Sequence, residues 1–202
     1  MTRGTTGDVA LRLVGLGVLL GTAGVLLFGT VHALAIVPIW GRLAGGLPFA
    51  IVAALGVTWV FHTLARAGRW SLTLGAGLRF GALCWVAEVP ATIFVNAMRL
   101  AAAPASRPEW VDPVSFLLAA FTGAVLFGAL GRNWRAAVAG GVAIGVLLAL
   151  GGGVVPVVNG RRAAELWAGF LVVEACAGAF LAFGYRRLVS PWTPVAHVEH
   201  RI

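Results

Sequence analysis

Residues 113–131 read PVSFLLAAFTGAVLFGALG, nineteen residues without a single charge. At 1.5 Å per residue an α-helix of that length spans roughly the 30 Å hydrocarbon layer of a bilayer. Period-2 alternation is absent, so a membrane β-strand is excluded. Asp112-Pro113 before it offers an N-cap followed by a proline at the first helical position. Gly131-Arg132-Asn133 after it puts a glycine where helices commonly stop.

Working outward, five more runs of this kind appear, at about 9–31, 46–65, 72–98, 136–157 and 163–185. The sequence therefore predicts an all-α integral membrane protein, a bundle of six transmembrane helices over 1–189 with a short cytoplasmic tail over 190–202. Two three-helix halves are a further expectation. The first run reads as a span rather than a cleaved signal, because it is longer than a typical signal core and no small-residue cleavage site follows it.

Composition agrees. The 202 residues are 60% hydrophobic and 11% charged, whereas soluble domains are roughly a quarter charged. Too little polar surface exists to cover a water-soluble core. The net charge is +8 and all fifteen cationic residues are arginine. They fall in short segments between apolar runs and form no continuous stripe, which argues for headgroups and against nucleic acid as the basic surface's partner.

Arginine placement predicts orientation. Arg3, Arg12, Arg66, Arg69, Arg132, Arg135, Arg186, Arg187 and Arg201 collect on one side. Arg42, Arg99, Arg107, Arg161 and Arg162 collect on the other. Nine against five places both termini in the cytoplasm of a cell with this chain in its inner membrane. Trp40, Trp70, Trp110, Trp134 and Trp192 fall near span ends, where an indole suits the interface. Ser71 is expected to cap the third helix and Asn159 the sixth. Gly17-x-x-x-Gly21 and Gly151-Gly152-Gly153 let helices approach closely; Gly151 to Pro156 could alternatively mark a deformable segment.

The polar residues inside the spans are the candidate site. Glu88 lies near the middle of the third run, where an ionised carboxylate costs at least a few kcal/mol unless paired or hydrated. Its helical neighbours Gly81, Cys84, Ala91 and Thr92 are small, so its face is expected to pack on other helices. Pro90 removes an N–H from the ladder and frees the carbonyl of Val86, suggesting a polar break beside the carboxyl. Glu174 sits at the centre of the sixth run, at nearly the same expected depth. Two carboxyls that close would share protons. The surroundings, Val86-Ala87-Glu88-Val89 and Val172-Val173-Glu174-Ala175, hint at an inverted repeat, although the match is confined to a few Ala/Val-class identities around one Glu.

His32 and His62 invite a two-imidazole haem site, but topology places them at opposite ends of their spans, and one haem cannot bridge them. Arg79 either snorkels to headgroups or pairs with a carboxylate; nine residues of helix put it on the opposite side from Glu88. In the tail, His197-x-x-His200 with Glu199 is a weak, unorganised ligand set. Cys84 and Cys176 lie within apolar runs and form no CxxC. There is no P-loop, GxGxxG, HExxH or GxSxG. No metal and no cofactor are expected.

Three functions remain. In the first, the chain is a small transporter whose Glu88 and Glu174 couple a proton or cation, with Pro90, His32, His62 and Arg79 along the path. In the second, it is a non-catalytic membrane subunit or scaffold, packing against other subunits or further copies of itself. The third, an intramembrane enzyme, has only scattered His, Cys and Glu to draw on, so a non-enzyme is expected ahead of it.

Overall fold

The structure, a computed structural model, describes residues 5–35, 40–101, 109–152 and 161–192. For 28–35, 40–46, 49, 96, 99–101, 147–152 and 161–166 only the backbone is described. Among the described residues six helices follow one another: α1 Thr6–Ala35, α2 Trp40–Arg66, α3 Leu74–Ala101, α4 Val111–Gly131, α5 Trp134–Gly152 and α6 Arg161–Gly184. A π-helical turn, Tyr185–Val189, and a 3₁₀ turn, Ser190–Trp192, extend α6. No strand occurs among the described residues, and the protein is a helical bundle. Thr6–Leu27, Leu74–Val95, Val111–Gly131 and Trp167–Trp192 are each long and apolar enough to cross a bilayer. Ala50–Arg66 and Trp134–Val146 are shorter apolar stretches. Leu11, Leu117, Phe121, Val125, Val138 and Val172 are exposed around the outside, as lipid rather than water demands.

The helix ends show how the sequence starts and stops each element. α1 begins with a capping box: the Thr5 amide donates to Asp8 Oδ2 at 2.7 Å and the Asp8 amide to Thr5 Oγ1 at 3.3 Å. These reciprocal bonds satisfy donors that the first turn leaves free. α3 is capped by Thr73, whose Oγ1 accepts from the Ala76 amide at 3.2 Å. Ser71, the expected cap, instead accepts from the Thr73 amide. α4 starts at Val111, with Trp110 at the cap position making no side-chain capping bond. Asp112 and Pro113 therefore lie inside the first turn, where proline costs nothing because those amides lack helical partners. At the other end Gly131 stays helical and Arg132 takes the left-handed conformation, φ 48°. Asn133 then caps α5, its Oδ1 accepting from the Ala136 amide at 2.7 Å. Asn159 and Gly153 to Pro156 lie outside the described residues.

The strongest helix pairings are α4 with α5, α3 with α6, α1 with α2, and α2 with α5. α3 also meets α4, and α6 meets α1. Exchanging α1–α3 for α4–α6 maps these pairings onto themselves. The match is incomplete, since α3 touches α5 more than α6 touches α2. Gly17 and Gly21 sit so close to Leu55 and Ile51 of α2 that an added Cβ would lie 2.6 and 2.8 Å from them. That is the close approach expected of this glycine pair.

One end of the bundle is tightly filled. Phe61, Phe80 and Phe127 are fully buried there, as are Leu64 and Leu181. Leu16 of α1 packs on Gly184, and Leu64 of α2 approaches Gly131. The same end therefore gathers the start of α1, the α2–α3 and α4–α5 connections and the end of α6. Arg66, Arg69, Arg132, Arg135, Arg186 and Arg187 are exposed around it.

Candidate functional site

The site lies in the seam between α3 and α6, and glycine makes that seam. A Cβ at Gly81 would overlap the Glu174 carbonyl, and one at Gly178 would overlap the Gly77 carbonyl. A Cβ at Gly77 would lie 2.6 Å from the Gly178 carbonyl and 2.8 Å from Ala179 Cα. Gly77-x-x-x-Gly81 and Gly178 thus bring two backbones together, as small-residue motifs do in membranes. The sequence alone points to the glycines of α1 and α5 and not to this pair. Their four-residue spacing was visible, but the partner on α6 was not.

The contacts also set the register. Gly77 faces Gly178 and Ala182, and Gly81 faces Glu174 and Ala175. Trp85 meets Trp167 edge to face, ring centroids 5.9 Å apart. Numbers rise along α3 as they fall along α6, so the helices are antiparallel. Glu174 lies opposite Gly81, and Glu88 lies seven residues further along α3, about 10 Å by helical rise. The two carboxyls are therefore not level. Helical side chains lean toward their own N-terminus, and in an antiparallel pair these two lean toward each other. Glu88 acts electrostatically on Glu174, and both act on Cys84, which is buried between them on α3.

The small neighbours of Glu88 do pack inward: Gly81, Cys84 and Ala91 are buried. Glu88 Oε1 and Glu174 Oε2 are themselves buried and have no hydrogen-bond partner among the described residues. Arg79 does not supply one, being exposed on the far side of α3. Pro90 leaves α3 continuous from Leu74 to Ala101. It is exposed, as is Val86, and both lie two residues, about 200° of helix turn, from Glu88. The carbonyl freed by Pro90 thus sits on the outer side of α3, not beside the carboxyl. Thr92 Oγ1 donates to the Glu88 carbonyl at 3.0 Å, a bond within the helix.

His62 belongs to a second polar level. Its Nδ1 lies 2.7 Å from the hydroxyl of Tyr185, the one tyrosine in the chain. Both side chains are buried, 7% and 2% exposed. Phe61 packs edge to face on Tyr185 at 5.5 Å, and Trp59 stands 6.0 Å from the imidazole. Tyr185 opens the π-helical turn, and Arg12 of α1 holds the same turn by donating to the Leu188 carbonyl at 3.2 Å. The Arg12 guanidinium also lies 4.0 Å over the Trp192 ring. His32 is in α1 with only its backbone described. It lies sixteen residues beyond Leu16, which packs one residue from Tyr185; the rise is about 24 Å. The structure therefore keeps the two histidines at different levels and does not bring His32 to the site.

Among the described residues no three His, Cys, Asp or Glu side chains converge as metal ligands would; Cys84 and the two carboxyls are strung along the seam instead. Residues 197–200 lie outside the described residues. The seam provides two carboxyls with no cationic partner among the described residues, inside an apolar bundle. Such a pair is suited to hold and release one proton or one small cation. No family model, no curated protein and no solved structure matches the chain.

Proposed function

We propose that the chain is a small six-span carrier of the inner cell membrane, both termini cytoplasmic, in which Glu88 and Glu174 couple transport to a proton. The observation that carries this reading is the buried carboxyl oxygen on each side of one glycine seam, neither with a hydrogen-bond partner among the described residues. Buried polar atoms in membranes are otherwise satisfied, and ionisable groups left inside a bundle mark proton and ion paths. In an alternating-access cycle the pair takes a proton from one side and yields it to the other, while the seam shifts between two packings. The exchange of halves onto one another in the helix pairings supports such a cycle, since inverted repeats supply two equivalent arrangements.

The scaffold reading has less support. It relies on glycine faces free for partners; Gly17, Gly21, Gly77, Gly81, Gly123, Gly140 and Gly178 are occupied by contacts within the chain, which leaves Gly15, Gly24 and Gly75 as open helical positions among the described glycines.

The test is cation/proton exchange in everted membrane vesicles that carry the full chain, read by recovery of a quenched pH-gradient dye. Sodium, potassium, lithium, calcium and organic cations are added in turn. At least one should give recovery with the wild type, and Glu88→Gln and Glu174→Gln should abolish it at equal protein level. No recovery with any cation, or recovery unimpaired in both variants, overturns the reading.

A further inference from the structure

The two polar levels are separated by a layer of large apolar side chains, and this layer closes one end of the site. Phe80 directly precedes Gly81, the residue opposite Glu174. Its ring packs on Phe61 of α2 at 5.1 Å and on Phe127 of α4 at 5.4 Å. Trp70 adds an edge contact at 5.9 Å, and its indole is fixed by donation to the Ala76 carbonyl at 3.1 Å. On α6, Leu181 stands between Glu174 and Tyr185 and is fully buried. Eleven residues, three turns, separate Glu174 from Tyr185 and return them to one face of α6. Toward the arginine-rich end, then, the carboxyls meet first the phenylalanines and Leu181, then the His62–Tyr185 pair.

We propose that Phe61, Phe80 and Phe127 are the plug of the carrier's gate on the arginine-rich face, and that the His62–Tyr185 hydrogen bond is its latch. The proposal rests on the carrier reading and adds how the site is closed on that side. Three features make the latch a point of control. It joins α2 directly to the turn that extends α6, on the arginine-rich side of the layer. It pins the first residue of a π-helical turn, a feature frequent where helices change shape for function. Phe61, next to His62 in the chain, touches both Tyr185 and Phe80, so displacing Tyr185 removes a wall of the plug. The groups facing the latch are Arg66, which acts electrostatically on both members, and the rings of Trp59 and Phe61.

Cys84 serves as a built-in reporter, since it is 4% exposed and lies between the carboxyls. The experiment uses the full chain with Cys176→Ser, which removes the exposed thiol. A charged, membrane-impermeant methanethiosulfonate is applied to sealed vesicles, on the face that bears a tag at the start of α1. The wild-type thiol should react slowly from this face. Tyr185→Phe and His62→Leu each remove the hydrogen bond and should raise the rate roughly five- to tenfold. Phe80→Ala should raise it further. Elution volume and melting midpoint, measured on the same preparations, identify a variant that has merely unfolded, and Tyr185→Phe is the conservative control. Fast labelling of the wild type from this face, or unchanged rates in both folded latch variants, overturns the gate. Labelling needs no transported ion, so its failure would leave the Glu88→Gln flux result standing, and the reverse also holds.

Discussion

Thr58 stands apart from the other hydroxyl residues of the bundle. Thr22, Thr63, Thr92, Ser115 and Thr122 each donate to the carbonyl four residues earlier, the usual way a helix satisfies a hydroxyl in an apolar setting. Thr58 is 1% exposed, and its Oγ1 has no partner among the described residues. It lies one turn before His62 on the same face of α2. A buried hydroxyl without a partner costs roughly 1–3 kcal/mol, and an apolar group of the same shape avoids that cost. Thr58→Val is therefore expected to raise stability by about 1 kcal/mol, read as a higher melting midpoint in detergent. A lower midpoint would mean that the hydroxyl is bonded. Residue by residue, the sequence was informative where the signal is local. Glu88 could be placed on an inward face because Gly81, Cys84 and Ala91 recur at helical spacing around it. The His62–Tyr185 pair spans 123 positions, and no periodicity within either helix reports such a contact. The one local hint was that a lone tyrosine near a span end needs a partner for its hydroxyl.

At the level of elements, the α3–α6 seam depends on the absence of side chains. A methyl at Gly81 would meet backbone rather than a movable side chain, so the helices themselves must separate. Overpacking of that kind typically costs 1–3 kcal/mol, and Gly81→Ala is expected at about 3 kcal/mol. Gly75 is the matched control. It is in the same helix, and an added Cβ there would meet nothing within 4 Å. Gly75→Ala should be neutral or stabilising by up to about 1 kcal/mol, since alanine is the better helix former. Thermal melts of the two variants side by side check this, and equal midpoints would contradict the seam. Helix existence was legible from the apolar runs because lipid leaves few alternatives for a backbone. Helix ends were less so. Thr73 and Arg132 took roles expected of Ser71 and Gly131, because competing cap residues stand within two positions of each other and small differences in turn geometry decide between them.

For the whole molecule, seven of the nine arginines read as one group from the sequence lie together: Arg66, Arg69, Arg132, Arg135, Arg186 and Arg187 are exposed at the filled end of the bundle, where Arg12 also meets Leu188; Arg3 and Arg201 lie outside the described residues. Gly131 beside Leu64 and Leu16 beside Gly184 tie the α2–α3 and α4–α5 connections, the first half of α1 and the end of α6 to that end. The pairing of helices into halves was only hinted at in the sequence, because the glutamate-centred match between α3 and α6 is short and carries no information on which helices meet. An even number of crossings follows if all six helices span, and the positive-inside rule then assigns the arginine-rich end to the cytoplasm. Alkaline phosphatase, which is active only outside the cytoplasm, makes this measurable in fusions at three points. After residue 105, between α3 and α4, the enzyme should be active. After Asn133, between α4 and α5, and after Ile202 it should be inactive. Activity at 133 and 202 with none at 105 would invert the bundle and turn the proposed gate to the outer face. Activity at both 105 and 202 would mean that one of α4, α5 and α6 fails to cross. The Cys84 labelling reads the same orientation independently, because the slow face in the wild type must be the face on which the phosphatase is silent.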